Sequence, residues 1–279
     1  MTTPDIHSQA WRTRYGPWAV VTGASSGIGE AIARHVAALG LHVVLVARSA
    51  ERLEMIAAQL TRDQGVRTMV VPADLTTQSG LDRVTSATAS LDVGLFVAAA
   101  GFGTSGEWTS AHLPVELAML DVNCRAVLVH AHYFAQRLAT RGHGGIVLLG
   151  SIVAHQGVPN AAHYSATKAY VQTFGEALHL ELAAVGVDVL VSAPGPVHSG
   201  FAARAGMTMS AAVRPDEVAR DTIRALGHRG TIVPGALSKL LTWSLALLPR
   251  WVRSRVMGSI MRGMTHGQET ALAKAQGGG

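Results

Sequence analysis

A glycine-rich segment at residues 20–30, V-V-T-G-A-S-S-G-I-G-E, constrains the fold of this chain more than any other feature. The apolar run before it is typical of a strand, and the pattern after it is typical of a helix. Gly23 permits a tight turn, Gly27 lets a phosphate approach the backbone, and Gly29 lets the helix pack against the strand. The first N–H groups of that helix then face an anion. This spacing predicts a dinucleotide site, with a plain glycine turn as the alternative.

Length and composition exclude several classes of protein. The chain has 279 residues, of which 48% are hydrophobic, so one large folded domain is favoured over a disordered chain. The formal net charge of +5 suits an anionic cofactor or a membrane face, and no Arg-rich run suggests nucleic-acid binding. Cys124 is the only cysteine, which predicts a reducing, cytoplasmic location. Neither a signal sequence nor a clustered Cys/His metal motif is expected.

Apolar runs and helical patterns alternate along the whole chain. Runs at 18–22, 41–47, 66–71, 93–99, 145–150, 187–192 and 231–234 predict strands, and 27–39, 50–64, 113–141 and 161–185 predict helices. The strands are uniformly apolar, which indicates burial on both faces. We therefore predict an α/β fold with a doubly wound parallel sheet of about seven strands and helices on both faces. Ligands bind at the carboxyl ends of such strands. The residues at these ends are Gly23, Arg48, Asp74, Gly101, Ser151 and Pro194.

The end of the second strand bears on which dinucleotide is bound. Sites for NAD carry an acidic residue about 20 positions after the glycines, where it binds the ribose 2′-hydroxyl. Here residues 47–49 read A-R-S, and Arg48 suits a 2′-phosphate as a bidentate cation. NADP(H) is therefore predicted in preference to NAD(H), and the alternative is a solvated Arg48 at a helix start. Asp74 either hydrogen-bonds an adenine amino group or caps the next helix.

Four polar residues suggest chemistry on this scaffold. Tyr164 and Lys168 in Y-S-A-T-K project from one helix face, and a nearby ammonium lowers the pKa of a phenol. Tyr164 is then a candidate to exchange a proton with an alcohol or ketone oxygen, and Ser151 to hold the same oxygen. The amide of Asn123 is predicted to hold a water that links Lys168 to solvent. Each residue alone has a purely structural interpretation, such as a surface pair or a local helix contact.

Together these motifs resemble the short-chain dehydrogenases/reductases over residues 18–235. The matching elements are T-G-A-S-S-G-I-G at 22–29, Asp74, Asn123, Ser151, Tyr164-x-x-x-Lys168 and Pro194-Gly195. The resemblance implies a Rossmann-type fold, with Tyr164 as general acid/base and Lys168 lowering its pKa and binding the nicotinamide ribose. It also implies that Ser151 positions the substrate oxygen and that Asn123 supports a proton relay. The implied cofactor-binding set is Gly23, Ser25, Ser26, Gly27, Ile28, Gly29, Arg48, Asp74, Leu75, Ala100, Gly101, Tyr164, Lys168, Pro194, Gly195 and Val197.

One departure from the family pattern follows the fourth strand. The family usually has N-N-A-G there, whereas this chain has A-A-A-G at 98–101. The missing amides normally tie this strand end to its neighbours, so we expect cofactor binding to persist in a weakened form. The functional prediction is an NADP(H)-dependent oxidoreductase that interconverts a secondary alcohol and a ketone. The alternative is a catalytically degenerate dinucleotide-binding scaffold or sensor.

The remaining predictions concern the substrate and the ends of the chain. Phe102, Val153 and a loop at 196–213, expected to be a substrate lid, suggest an apolar small-molecule carbonyl substrate. Residues 1–235 are predicted as the catalytic domain, with a loose arm at 1–16, and 236–279 as an amphipathic helical extension with a flexible tail. The extension either packs on this subunit or another, or makes peripheral membrane contact through 237–264. The resemblance implies a homodimer or homotetramer.

Overall fold

The computed structural model describes residues 6–200, 204–205 and 212–276. The helices are α1 Ile6–Tyr15, α2 Gly27–Ala38, α3 Ala50–Gln64, α4 Gln78–Thr88, α5 Leu113–Leu120, α6 Ala126–Arg141, α7 Ala162–Ala183, α8 Pro215–Ala225, α9 Ala236–Ala246 and α10 Arg250–Gln276. The strands are β1 Trp18–Thr22, β2 His42–Ala47, β3 Thr68–Pro72, β4 Val93–Ala98, β5 Gly144–Leu149, β6 Val187–Ser192 and β7 Thr231–Ile232. The middle of the predicted lid and the terminal tail at 277–279 lie outside the described residues.

The strands form a single parallel sheet with helices on both faces. Within the described residues the sheet has seven strands in the order β3-β2-β1-β4-β5-β6-β7. Strands β1, β4 and β5 are buried along their whole length, because helices cover both sides. The predicted doubly wound fold is confirmed.

The strand order places a crevice at one edge of the sheet. The chain runs outward from β1 through β2 to β3, then returns to the other side of β1 with β4. Loops after β1 and β4 therefore diverge in opposite directions, which opens a cleft at the carboxyl ends. Thr22 at the end of β1 pairs with Ala98 at the end of β4, so the glycine turn and the alanine run lie side by side.

The segment predicted as one helix at 113–141 is not a regular α-helix along its whole length. It consists of α5, a π-helical stretch at Asp121–Arg125, and α6. A π-helical turn adds a residue to the local helical repeat and rotates the side chains that follow. Asn123 lies within this stretch, and its side chain is 1% exposed.

The prediction of a loose N-terminal arm is wrong for residues 6–15. This segment is helix α1, and Trp11 and Tyr15 are buried in the main hydrophobic core. The Tyr15 hydroxyl donates a 2.6 Å hydrogen bond to Asp188 at the start of β6, and Arg14 pairs with the same carboxylate. The partner lies far away in sequence, so local composition could not reveal this packing.

The two helices predicted after residue 235 are present. Helices α9 and α10 are separated at Pro249, as proline geometry requires. Leu245, Met257 and Met261 are buried in a satellite core that also contains Tyr164. The extension therefore packs on the same body that carries the candidate site. Its treatment as a separate unit beyond residue 235 stays a prediction.

Candidate active site

A cleft of about 720 Å³ lies at the carboxyl ends of the strands. Except for Asn123, every predicted site residue lines it. The lining includes Gly23, Ser25, Ser26, Gly27, Ile28, Gly29, Arg48, Asp74, Leu75, Ala100, Gly101, Ser151, Tyr164, Lys168, Pro194, Gly195 and Val197. Phe102 and Val153, predicted to contact substrate, also line the cleft. Residues from loops and helices far apart in the sequence thus meet in one space.

The glycine turn has no room for side chains at two positions. Gly23 has φ of +70°, and a Cβ there would lie 2.7 Å from the backbone nitrogen of Ala100. A Cβ on Gly29 would lie 2.3 Å from the carbonyl oxygen of Gly23. Ser26, which precedes α2, makes no side-chain capping hydrogen bond. The first N–H groups of α2 are therefore left to face the cleft, which suits an anionic group.

Arg48 and Asp74 form the outer rim of the cleft near the turn. Arg48 is exposed and lies directly after β2. The Asp74 carboxylate accepts hydrogen bonds from the Thr76 N–H at 3.1 Å and from its hydroxyl at 2.9 Å. The Thr76 hydrogen bonds and the Arg48 charge hold the pKa of Asp74 below its usual value. Thr77 caps α4, accepting from the Gly80 N–H, so Asp74 is not the cap.

Tyr164, Ser151 and Lys168 converge deep in the cleft, where each is less than 10% exposed. The Lys168 Nζ lies over the Tyr164 ring, 5.9 Å from its centroid, and donates a 2.8 Å hydrogen bond to the Leu149 carbonyl. Ser151 lies two residues after the end of β5, and its hydroxyl accepts from the Val153 N–H at 3.4 Å. One turn of helix separates tyrosine from lysine, which explains why both reach the same space.

Burial controls the pKa values of this pair. Burial raises the pKa of Tyr164 to about 12, and a hydrogen bond with the Ser151 side chain acts in the opposite direction. Burial lowers the pKa of Lys168 to about 8. The structure therefore does not support the expected lowering of the Tyr164 pKa by Lys168. At neutral pH the phenol is therefore protonated.

Replacing Lys168 with methionine is expected to stabilise the fold at neutral pH. The wild-type protein holds a charged amine in a buried site. The folded chain releases that proton near pH 8 and the unfolded chain near 10.5. The loss of stability caused by this buried charge is complete below pH 8 and vanishes as the pH rises to 10.5. After the lost Leu149 hydrogen bond is subtracted, Lys168→Met should raise the free energy of unfolding at pH 7 by on the order of 2 kcal/mol.

Urea denaturation of both proteins at neutral pH and again near pH 10 measures this difference. The difference in the free energy of unfolding between Lys168→Met and wild type should shrink at the higher pH. Titration of Tyr164 affects both proteins alike, so it does not contribute to that difference. A variant that is no more stable than wild type at neutral pH would contradict the buried-charge account.

Asn123 does not line the cleft, but its side chain connects two segments near it. Its Oδ1 accepts from the Phe102 N–H at 3.1 Å, and its Nδ2 donates to the Phe102 carbonyl and to the Thr167 hydroxyl. Both amide hydrogens are therefore committed to protein atoms. The side chain does not have a free donor for the predicted relay water. Its observed contacts connect the loop after β4 to helix α7, which carries Tyr164.

The alanine run is held by a hydroxyl rather than by amide side chains. The Thr22 Oγ1 accepts from the Ala99 N–H at 3.1 Å and the Ala100 N–H at 3.2 Å, and donates to the Val97 carbonyl. This hydroxyl ties the end of β4 to the end of β1. Small side chains at 98–100 leave the backbone of this strand end accessible to the cleft.

The C-terminal helices contribute cleft residues that sequence reasoning placed elsewhere. Leu241 of α9 and Met257, Ile260, Met261 and Met264 of α10 line the apolar end of the cleft. The three methionines are spaced as on one helix face, so the sequence pattern could have predicted that they share a surface. In contrast, the sequence around Ser238 has no pattern that predicts its structural role. Its buried hydroxyl accepts a 3.2 Å hydrogen bond from the Gly195 N–H and so holds the loop after β6.

Comparison with known proteins agrees with this architecture. Residues 17–210 match the short chain dehydrogenase family. The chain belongs to this family. It is therefore an oxidoreductase of the short-chain dehydrogenase type. Within its described residues no group of three or more His, Cys, Asp or Glu side chains could hold a metal ion.

Individual relatives cover most of this short-chain dehydrogenase. The 7beta-hydroxysteroid dehydrogenase of Clostridium sardiniense is 30% identical over 233 residues, which cover 82% of this chain and 89% of the relative. A solved structure of a 7beta-hydroxysteroid dehydrogenase has a TM-score of 0.82 at 27% identity, covering 88% and 98% of the two chains. A short-chain dehydrogenase from Sphingobium yanoikuyae, solved in complex with NADPH, has a TM-score of 0.74 at 28% identity, covering 84% and 97%.

Proposed function

We propose that this short-chain dehydrogenase uses NADP(H) to interconvert a secondary alcohol and a ketone on a bulky, mainly apolar substrate. One observation supports this most strongly. Tyr164 and Ser151 line the same cleft as the glycine turn and the methionines of α10. One cleft thus combines a candidate proton donor with a candidate phosphate-binding turn and an apolar wall.

The residues of the polar half fit a dinucleotide. The uncapped N-terminus of α2 suits a pyrophosphate, and the absence of a Cβ at Gly23 and Gly29 permits the close turn. Pro194, Gly195 and Val197 are proposed to lie against the nicotinamide, and Asp74 and Leu75 against the adenine. A bound reduced nicotinamide supplies the hydride for carbonyl reduction. The Sphingobium relative with NADPH supports this choice of cofactor.

Arg48→Ala is expected to weaken NADPH binding selectively. Arg48 is the cation at the end of β2, where NAD-specific sites have an acid, and we propose that it binds the 2′-phosphate. Loss of a charge-assisted hydrogen bond should raise the Kd for NADPH by about 10-fold to 100-fold. The Kd for NADH should barely change, because NADH carries no 2′-phosphate. Fluorescence titration of both reduced cofactors measures the two values.

The control for this prediction is Arg62→Ala, which removes another exposed guanidinium, from α3 and away from the cleft. This variant should bind both cofactors as wild type does. Equal losses of NADPH and NADH affinity in Arg48→Ala would contradict a 2′-phosphate contact.

The catalytic residues have distinct proposed roles. Tyr164 donates its phenolic proton to the carbonyl oxygen during reduction, and takes it back during oxidation. Ser151 holds that oxygen and stabilises the charge that develops on it. Lys168 remains protonated at neutral pH and is proposed to bind the nicotinamide ribose while orienting the Tyr164 ring. Asn123 is proposed as a positioning residue, since its amide connects Phe102 to Thr167.

The apolar half of the cleft supports a bulky substrate. Leu241, Met257 and Met261 present aliphatic and thioether surface with no charge, and methionines adapt to irregular shapes. The relatives named for a hydroxysteroid substrate support the same size class. The test is a series of cyclic ketones of increasing ring number, assayed for NADPH oxidation. We expect kcat/KM to rise with apolar bulk, and a preference for small polar ketones would contradict the proposal.

The competing proposal is a degenerate scaffold that binds a dinucleotide without turnover. The alanine run at 98–100 was its main support. Thr22 makes the backbone ties at this position, and Ser151, Tyr164 and Lys168 are all in the cleft. We therefore favour the enzyme.

We also propose that subunits associate through the outer face of α5, α6 and α7. Leu117, Leu120, Leu128 and Tyr170 are large apolar residues that are exposed on these helices. Light scattering would distinguish a monomer from a homodimer or homotetramer. A cytoplasmic location stays a prediction.

A further inference from the structure

Helices α9 and α10 carry exposed apolar side chains, most of which lie outside the active-site cleft. We call the exposed large apolar residues of this hairpin the hairpin face: Leu240 and Trp243 on α9, Leu247 just after it, and Trp251, Val256 and Ile260 on α10. Trp243 is 78% exposed, Leu247 is 93% exposed and Trp251 is 62% exposed. Leu240 and Trp243 are spaced i, i+3, so they share one side of α9, and Leu247 is its C-cap.

Other apolar residues of the same two helices are already packed against the rest of the protein. Leu245, Met257 and Met261 are buried in the satellite core, and Leu241 packs against it. The hairpin face is therefore additional apolar surface that folding of this chain does not bury. Several large exposed apolar side chains on two adjacent helices are typical of an interaction site.

The charged residues of the segment that carries the hairpin face are all basic. No Asp or Glu occurs at 222–268, whereas Lys239, Arg250, Arg253, Arg255 and Arg262 all lie within 239–262. The Arg255 guanidinium lies over the Trp251 ring, 5.0 Å from its centroid. Tryptophans flanked by basic side chains are typical of helices that lie in a membrane interface. The complementary surface is therefore anionic and apolar together.

We propose that the hairpin face docks onto the surface of an anionic lipid bilayer, with α9 and the start of α10 lying in its plane. A second copy of this chain would bring a like-charged surface against it, which disfavours self-association through this face. Among the described residues, no helix has the length and apolar character needed to cross a bilayer. Docking therefore means surface contact.

The same contact would bring the cleft to the lipid. Ile260 both lines the cleft and is 38% exposed on the hairpin face, so the apolar end of the cleft reaches the surface there. An apolar compound dissolved in the bilayer would meet this opening. The docking proposal itself does not depend on the reaction, because vesicle binding is measured without turnover.

Vesicle flotation of the full-length protein tests the proposal. Phosphatidylcholine vesicles with and without phosphatidylglycerol are the probes. We expect at least about fivefold more protein to float with the anionic vesicles, and less as salt is added. The variant Trp243→Ser/Leu247→Ser/Trp251→Ser should remain in the dense fraction. The matched control Met55→Ser/Leu180→Ser removes exposed side chains from α3 and α7 and should float as wild type does.

A second variant and two readouts keep the result interpretable. Lys239→Gln/Arg250→Gln/Arg255→Gln leaves the apolar residues in place and should lose the preference for anionic vesicles. Circular dichroism and NADPH titration check that each variant is folded. Wild-type protein that stays unbound to anionic vesicles would overturn the proposal. A triple serine variant that floats as wild type does would also overturn it. If that variant also had a smaller mass by light scattering, the hairpin face would be a subunit interface instead.

Discussion

Tyr164→Phe should lower kcat for ketone reduction by about 10³-fold. The substitution removes only the phenolic oxygen, and the ring keeps its place among Met119, Val153 and Val158 in the satellite core. Burial keeps the phenol protonated at neutral pH, so the hydroxyl is the proton source that the variant lacks. NADPH affinity should change little, because the glycine turn and Arg48 are untouched. Steady-state NADPH oxidation with a saturating cyclic ketone measures kcat, and fluorescence titration measures affinity.

Tyr170→Phe is the matched control for this prediction. Tyr170 lies on the same helix, outside the cleft, with its ring stacked on Phe174. This variant should retain wild-type kcat. A Tyr164→Phe protein with unchanged turnover would show that another group supplies the proton, and the proposed mechanism would then be wrong.

Gly29→Ala should abolish measurable dinucleotide binding and destabilise the fold. The new methyl carbon would lie 2.3 Å from the Gly23 carbonyl oxygen and 2.7 Å from its carbon. Both atoms belong to the backbone of the tight turn, so the turn itself must move. We expect the free energy of unfolding to fall by about 2 kcal/mol or more, as for overpacked cores. Urea unfolding measures the stability, and NADPH titration measures binding.

Gly263→Ala separates steric crowding from the general effect of adding a methyl group. Gly263 lies in α10, and apart from its chain neighbours and the backbone of its own helix no heavy atom lies within 4 Å of a Cβ built there. Alanine in that helix should be neutral or stabilising by up to about 1 kcal/mol. If Gly29→Ala bound NADPH as wild type does, the close turn would not be what holds the dinucleotide.

The sheet and most of the cleft could be predicted because their signals are local. Strands buried on both faces give unbroken apolar runs such as 18–22 and 93–98, and the glycine turn sits between one strand and one helix. Parallel topology then places the carboxyl ends of all strands at one edge. Gly23, Ser151 and Pro194 could be assigned to a single cleft on that basis alone.

The errors come from interactions between residues far apart in sequence. The tether of α1 depends on Asp188, which lies 173 positions after Tyr15. The π-helical stretch at Asp121–Arg125 lies in a segment whose apolar pattern reads as a continuous helix. The pKa of Tyr164 depends on how completely it is buried, and helices α9 and α10 contribute to that burial. A spacing of i, i+4 with Lys168 carries no information about burial.

The supporting residues were harder to predict than the candidate catalytic residues. Thr22 and Ser238 hold backbone groups of distant loops, and serine or threonine at such positions has no distinctive sequence pattern. The apolar wall from Met257 to Met264 did have a helical spacing. Its contact with the cleft nonetheless required knowing how α10 folds back over the site.

Transfer of deuterium from NADPH labelled at the nicotinamide C4 position tests the central claim most directly. The full-length protein is incubated with the labelled cofactor and a polycyclic ketone, and the alcohol product is analysed by mass spectrometry. The account predicts that deuterium appears on the carbinol carbon in wild type, and that Tyr164→Phe forms almost no labelled alcohol. Absence of labelled alcohol with wild-type protein, across cyclic ketones of every size tested and with labelled NADH as well, would contradict it.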